Sequence, residues 1–332
     1  MITIQNLYKN YELKSSFINQ LTGRTKVVSA LHDVNLDIGS NEVVGLVEKS
    51  NYRKTTLGKI LLKIEDITEG RILVGNQDIS KLKKTEVKEY RKNIQMIFQD
   101  PYDSLDPKMT VYEIIAEPVE SLKLNDSSVD LRERVIEILK LVGLDPPEEY
   151  LERYPHRLSG GQRQRVAIAR ALIVNPKFIV ADEPVSMLDV SIRAGVLNLL
   201  QKLNSEHGIS ILLITHDLAT ARFLCERIVV MYLGKIVEIV PANKIMGNAY
   251  HPYTKLLISS APDLFHNSSD RVDVKGEAAN ATAPPKGCRF WPRCNYAEDR
   301  CKVENQELEK VGDNCYVACW KYSHINIIRK GE

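Results

Sequence analysis

The chain predicts an α/β fold built on a parallel sheet, interrupted by a helical insertion and followed by a small cysteine-rich C-terminal extension. Three observations carry this reading. The β-branched runs Lys177–Ala181, Ile209–Thr215 and Arg227–Leu233 have the continuous apolar character of strands buried on both faces. Helical patterns alternate with such runs, which is the signature of an α/β sheet. Five of the 6 cysteines, Cys288, Cys294, Cys301, Cys315 and Cys319, fall in the last 45 residues.

Taken in order, Val27–Val34 and Glu42–Val47 read as short strands around the turn Ile38-Gly39-Ser40-Asn41. A polar loop follows Val47, and a helical pattern runs over Thr55–Ile64. Arg71–Val74 and Ile94–Phe98 are further strand-like runs. Residues 110–175 read as mainly helical. Ser128–Val142 is charged and amphipathic there, and Gln162–Ile173 follows a Ser-Gly-Gly start. Residues 264–286 are rich in Asn, Ser, Ala and Pro and read as a linker. No internal repeat is visible.

Composition bounds the function. Lys+Arg number 45 against 43 Asp+Glu, a net charge of +2 that is too small for a protein whose main task is gripping nucleic-acid backbones. With 44% apolar residues the chain has ample material for a core, which excludes wholesale disorder. No apolar run approaches the roughly 18 residues of a membrane span. Ile209–Ile214, for one, is short and contains Ser210. The opening MITIQNLYKNYELK lacks a signal-peptide core, so a cytosolic chain recruited to any membrane by a partner is expected. A reducing cytosol disfavours disulfides, so the cysteine cluster reads first as a metal site, whereas Cys225 reads as ordinary core.

Five segments point to one chemistry. Lys54-Thr55-Thr56 stands at a helix start, where free N–H groups and the helix dipole suit phosphate. Lys54 would reach the β- and γ-phosphates and the Thr55 hydroxyl would bind Mg²⁺. Phe178-Ile-Val-Ala-Asp182-Glu183-Pro184 is an apolar strand ending in two carboxylates, one for metal and one to polarise a water. Gln99, in Ile97-Phe98-Gln99-Asp100-Pro101, is a polar group at a strand end. His216 follows Ile211–Thr215, placed to touch a γ-phosphate. Leu158-Ser159-Gly160-Gly161-Gln162 is a glycine turn opening a helix and hence another anion site. Each alone is weak; their order and spacing together describe an ATP site.

With these segments in place, the chain resembles the ATP-binding subunits of ABC transporters over about residues 1–240, with a helical subdomain at about 101–175. The resemblance implies a P-loop NTPase core of ABC ATPase type. Asp182-Glu183 matches the Walker B end, Gln99 and His216 the Q- and H-loop positions, and Ser186-Met187-Leu188-Asp189 the D-loop. It also implies that Tyr11 stacks on adenine, that Thr55, Gln99 and Asp182 hold Mg²⁺, and that Glu183, His216 and Gln99 are catalytic. Two such subunits pair head to tail in the family, so Ser159, Gly160, Gly161 and Gln162 would serve a partner's ATP. His251-Pro252-Tyr253-Thr254, Gly287-Cys288-Arg-Phe-Trp-Pro-Arg-Cys294, Val317-Ala318-Cys319 and Pro101-Tyr-Asp-Ser-Leu-Asp-Pro107 are similar to the oligopeptide/dipeptide importer group. Residues 241–332 then correspond to that group's C-terminal extension. The implied partners are a second ATPase subunit, two transmembrane permease subunits and, indirectly, an extracellular substrate-binding protein, with no nucleic acid. Oligosaccharide cargo is the alternative to peptides, and a soluble ABC protein outside transport is a further one.

The phosphate loop departs from the family pattern Gly-x-x-x-x-Gly-Lys-Ser/Thr. It reads Glu48-Lys49-Ser50-Asn51-Tyr52-Arg53-Lys54-Thr55, with Glu48, Asn51 and Arg53 where glycines belong. Ser50, Asn51, Arg53, Lys54, Thr55 and Thr56 remain the candidate nucleotide contacts. Non-glycine residues held at left-handed φ cost about 1–2 kcal/mol each, and Glu48 is expected to bring a like charge towards the triphosphate. The combined loss of about 3–5 kcal/mol is a factor of roughly a hundred to several thousand in affinity. The expectation is an impaired own site and an intact signature that completes a partner's site. A rearranged loop that still holds nucleotide, with Glu183 as base, is the alternative.

Four thiolates suit zinc or an iron–sulfur cluster. The spacing Cys288-x5-Cys294-x6-Cys301-x17-Cys319 lacks the Cys-x2-Cys knuckles of structural zinc. Resemblance to the importer extension implies a [4Fe–4S] cluster on Cys288, Cys294, Cys301 and Cys319, with Cys315 as a spare or alternative ligand. Free buried thiols are the bland alternative.

Overall fold

The computed structural model describes residues 1–13, 26–49, 51–124, 131–247, 249–260, 275 and 284–322, with the backbone alone of residues 13, 26 and 51–54. Ser50 and most of the expected 264–286 linker lie outside the described residues.

Two sheets carry the fold. Strands β1 (Ile2–Leu13), β2 (Lys26–Ile38), β4 (Glu69–Val74) and β5 (Gln77–Asp78) form an antiparallel sheet in the order β2-β1-β4-β5. The second sheet is built on β3 (Val43–Val47), β6 (Ile94–Ile97), β7 (Phe178–Asp182), β8 (Ser210–Thr215), β9 (Arg227–Tyr232) and β10 (Lys235–Pro241). With β11 (Glu309–Gly312) and β12 (Cys315–Val317) its order is β11-β12-β10-β9-β3-β8-β7-β6. The β9-β3-β8-β7-β6 part is parallel. Every residue of β3, β7 and β8 is buried, as continuous apolar runs require.

The pleat splits these strands between two cores. Val44, Leu46, Phe178 and Val180 face a cluster shared with the antiparallel sheet and with Leu57, Ile60 and Leu61 of helix α1 (Asn51–Leu61). Val43, Val47, Ile179 and Ala181 face the other cluster, with Val166 and Ile168 from the helix after Ser159 and Leu200 and Leu203 from the helix after Asp189. Residues 111–121, 131–141 and 160–172 are helical, as the sequence predicts for the insertion.

Three features add to the sequence reading or differ from it. Residues 27–34 and 42–47 flank a turn yet belong to different sheets, because β2 pairs with β1 while β3 inserts between β8 and β9. The sheet continues past residue 240: β12 pairs with β10 through Glu238↔Val317 and Ile239↔Tyr316. And α1 begins at Asn51, four residues before the expected start at Thr55. At a rise of about 1.5 Å per residue, the helix end moves by about 6 Å. Without glycine, residues 51–54 have no preference for an open, left-handed loop, and right-handed helix is the unstrained alternative.

Candidate active site

The parallel register brings the expected groups together. Val47 sits opposite Thr215, Ile214 opposite Asp182, and Ala181 opposite Ile97. Glu48, His216, Glu183 and Gln99 therefore leave the sheet at its carboxyl end, where open α/β sheets bind ligands. The structure also brings Thr55 to this end: its hydroxyl donates to Asp182 Oδ2 at 2.6 Å. Two oxygens of this kind, a half-buried hydroxyl and a buried carboxylate, fit the hard-oxygen chemistry of Mg²⁺.

Glu183 is buried and its backbone has φ of 48°, a left-handed conformation uncommon for a carboxylate residue. Its N–H donates to Ile214 C=O at 2.8 Å, which holds that conformation. The carboxylate accepts the His216 N–H at 2.9 Å and lies 2.7 Å from His216 Nδ1. Such strain held by tertiary bonds is typical of functional positions. A cavity of about 390 Å³ opens here, lined by Lys49, Glu183, Arg193, His216 and Asp217, with Leu257 on a further wall. Gln99 is half-buried at the end of β6.

Tyr11 meets the same helix. Its hydroxyl lies 3.3 Å from Thr56 Oγ1 and donates to Glu65, while the Lys9 ammonium stands 4.8 Å over its ring. Burial first, and then the bond to Glu65, push its phenol up to about 12.

The phosphate loop corrects two expectations. Residues Asn51–Lys54 are helical, so none of them carries the left-handed φ that the strain argument assumed. Glu48 does not face a triphosphate. It is 1% exposed, its N–H reaches Thr215 C=O at 3.4 Å, and its carboxylate accepts the N–H of Gly234 at 3.3 Å. A buried carboxylate needs such donors, and the β9–β10 turn supplies one.

Ser159 caps helix α7 (Gly160–Leu172): its hydroxyl accepts the Gln162 N–H, and Gln162 Oε1 accepts the Ser159 N–H at 2.9 Å. The two glycines serve different ends. A Cβ on Gly161 would sit 2.5 Å from Ile192 Cγ2, so this position needs glycine for packing. A Cβ on Gly160 would meet nothing closer than Leu188 at 3.8 Å. With Gly160 half-buried and Ser159 exposed, the N–H groups of the first helical turn face outward. Asp189 stands before helix α8 (Val190–His207), and its carbonyl accepts from Ile192 and Arg193 at 3.0 Å. Leu105 is core, whereas Tyr102 is 60% exposed under the Arg163 guanidinium at 4.0 Å.

All 6 cysteines are free thiols. Among the described residues, no group of three or more His, Cys, Asp or Glu is arranged to hold a metal ion, so the expected zinc or [4Fe–4S] site finds no support there. Cys288, Cys294, Cys301 and Cys319 nonetheless line one small cavity, and burial pushes Cys294 up to about 11 and Cys319 up to about 12. Cys315 is not among them; it lies against Asp313 C=O at 3.4 Å. Cys225 is buried, with Sγ 2.9 Å from where a Cβ on Gly45 would stand, as a core residue should be.

The sequence reading missed a buried polar network behind the phosphate loop. Glu238, fully buried in β10, accepts the N–H of Tyr250 at 2.8 Å and of His251 at 2.9 Å. Burial raises its carboxyl to about 7. A signal was present: a lone carboxylate inside Ile236-Val237-Glu238-Ile239-Val240.

Comparison with known proteins identifies the family. The ABC transporter family model matches residues 31–186, and the model for the oligopeptide/dipeptide transporter C-terminal region matches residues 237–301. The chain is 41% identical over 321 residues to the ABC transporter ATP-binding protein y4tS of Sinorhizobium fredii, covering 96% of this chain and 89% of that one. It is 40% identical over 327 residues to the oligopeptide transport ATP-binding protein AppF of Bacillus subtilis, covering 97% and 98%. The chain belongs to the ABC transporter ATP-binding protein family. Among solved structures, the dimeric post-hydrolysis ATP-binding cassette MJ0796 bound to ADP and Pi aligns with a TM-score of 0.63 at 32% identity, over 73% of this chain and 99% of that one. This ABC ATPase thus has the mixed α/β P-loop fold, and ATP with Mg²⁺ is its expected ligand. Among the described residues of the ATPase, no helix is long and apolar enough to cross a membrane.

Proposed function

We propose that this ATPase is the energy-coupling subunit of an importer for oligopeptides or dipeptides. It works peripherally at the cytoplasmic face of the membrane against two permease subunits, paired with a second ATPase subunit. The peptide class rests on the C-terminal region match and on the name of AppF. The pairing rests on the state of the phosphate loop: helical residues 51–54 stand where an open cradle is needed, while the Ser159 cap is intact. A homodimer would carry two such loops; a heterodimer has one sound site, completed by Ser159, Gly160, Gly161 and Gln162.

In that pair, closure around ATP shifts an open–closed equilibrium, because ATP binds well only between the two cassettes. Thr55, Asp182 and Gln99 would hold Mg²⁺, which neutralises phosphate charge when bound. Glu183 orients the attacking water and accepts its proton. His216, fixed by its bond to Glu183, faces the γ-phosphate. Tyr11 offers an aromatic face to adenine, and Asp189 stands at the D-loop position before α8. Tyr102, at the surface beside Gln99, marks the groove for a permease helix. Residues 1–240 form the cassette and 241–332 the extension.

Radiolabelled ATP hydrolysis by the purified chain tests the impaired-site reading. Little or no turnover alone, restored on adding the second subunit, is expected. Turnover alone at the rate of the mixture, abolished by Glu183→Gln, would refute it.

A second reading concerns the thiols. If a [4Fe–4S] cluster were bound, Cys288, Cys294, Cys301 and Cys319 would be its thiolate ligands. The reading rests on four cysteines lining one cavity with Cys315 outside it, although among the described residues no group is arranged to hold a metal ion. Iron and sulfide analysis of an anaerobic preparation decides; a colourless, iron-free, fully folded chain removes the cluster.

A further inference from the structure

The phosphate loop leaves β3 through Glu48 and Lys49, and neither is held by nucleotide chemistry. The Glu48 carboxylate accepts from Gly234 in the β9–β10 turn. The Lys49 main-chain N–H donates to the Tyr253 hydroxyl at 3.2 Å. Tyr253 stands near the start of helix α10 (Pro252–Ser259), about two hundred residues further along the chain.

That hydroxyl is not free to wander. The Tyr253 ring is 2% exposed and clamped by Tyr232, with centroids 4.5 Å apart, and by Phe290 at 5.6 Å. Phe290 belongs to the Cys288–Cys294 segment, and Arg289 beside it donates to Leu233 C=O next to Gly234. The helix start is fixed as well. His251 Nδ1 accepts the Tyr253 N–H at 3.0 Å, and Glu238 holds the N–H of His251. A ring with two torsions, both fixed by packing, delivers its hydroxyl to one place.

We propose that Tyr253 is a positioning residue of the nucleotide site: its hydroxyl, braced by the C-terminal region, fixes the direction in which the phosphate loop leaves β3 and thereby sets nucleotide affinity. The affinity half of this inference rests on the ATP-site reading above; the bracing half does not. Losing one such hydrogen bond is worth about a factor of 5 to 10. By linkage, nucleotide on the loop also tightens α10.

Tyr253→Phe keeps the ring and its packing and removes only the hydroxyl. Hydrogen exchange by mass spectrometry on the full chain should show peptides spanning 48–56 exchanging about 5- to 10-fold faster, with 235–241 unchanged and the thermal midpoint lowered by no more than about 2–4 °C. Unchanged exchange over 48–56 overturns the brace. Faster exchange throughout the chain reduces Tyr253 to a packing residue and overturns it equally. The affinity half is read with Mg²⁺ and a fluorescent ATP analogue in an Asn51→Gly/Arg53→Gly background, which leaves Glu48 and Lys49 in place. There, adding Tyr253→Phe should weaken binding about 5- to 10-fold. Equal affinities with a loosened loop overturn the coupling alone. No binding by either variant overturns the ATP-site reading and the affinity half together, while the exchange data still judge the brace.

Discussion

Returning glycine to positions 51 and 53 should open the phosphate loop and raise MgATP affinity. In the structure these residues form the first turn of α1. To cradle phosphate they must leave the helix for left-handed backbone, at about 1–2 kcal/mol for Arg53 and somewhat less for Asn51. Glycine removes that penalty and also weakens the competing helix, by up to about 1 kcal/mol relative to a good helix former. The net gain of about 2–3 kcal/mol corresponds to a 30- to 150-fold tighter complex, to order of magnitude. The assay is a fluorescence titration of Asn51→Gly/Arg53→Gly with an ATP analogue and Mg²⁺, beside Arg53→Ala, which deletes the charge but keeps the helix. Wild type binding within threefold of the double variant, or an equal gain from Arg53→Ala, would show that the helical first turn is not what weakens MgATP binding.

Gly161→Ala should destabilise the chain by about 1–3 kcal/mol in chemical denaturation, because its Cβ would meet Ile192 Cγ2 at 2.5 Å; Ile192→Ala should relieve it. Gly160→Ala, with Leu188 at 3.8 Å, should leave stability unchanged and lower hydrolysis only in the paired complex. Acid stability follows from two opposed groups. Burial holds His251 down at about 3, so its contribution is full above its ordinary 6.5 and falls as pH drops towards 3, by about 1.4 kcal/mol per unit. Glu238, pushed up to about 7 from 4.5, favours the fold increasingly as pH falls between those values. The two offset between 4.5 and 6.5. His251→Asn, which keeps an acceptor for the Tyr253 N–H, should therefore gain stability on acidification from pH 7 to 4.5, while wild type gains little. Urea midpoints at both pH values check this, and parallel profiles would contradict it. Finally, Ser159→Arg should abolish hydrolysis by the mixed pair while this chain still folds, at about 1 kcal/mol lower stability for the lost cap; retained turnover would show that its signature completes no site.

Much of the site was legible because strand ends are. Phe178–Asp182 and Ser210–Thr215 carry polar residues immediately after apolar runs, and parallel register alone then gathers Glu183 and His216. The Ser159 cap was legible for a similar reason, since a hydroxyl three residues before a glutamine is a local pattern. What sequence could not supply was long-range. Residues 27–34 and 42–47 share a turn but not a sheet, a choice made by β1, β8 and β9. The inward turn of Glu48 depends on Gly234, which is not near it in the chain. The early start of α1 was foreseeable from the missing glycines, had their absence been read as helix propensity rather than as strain.

The pairing of β12 along β10 has a practical consequence for anyone shortening this protein. Removing everything after residue 260 would strip β10 of that neighbour and leave the main-chain groups of Glu238 and Ile239 searching for another strand. A trimmed cassette is then expected to stick to copies of itself through that rim. A soluble minimal unit should retain the chain through Val317.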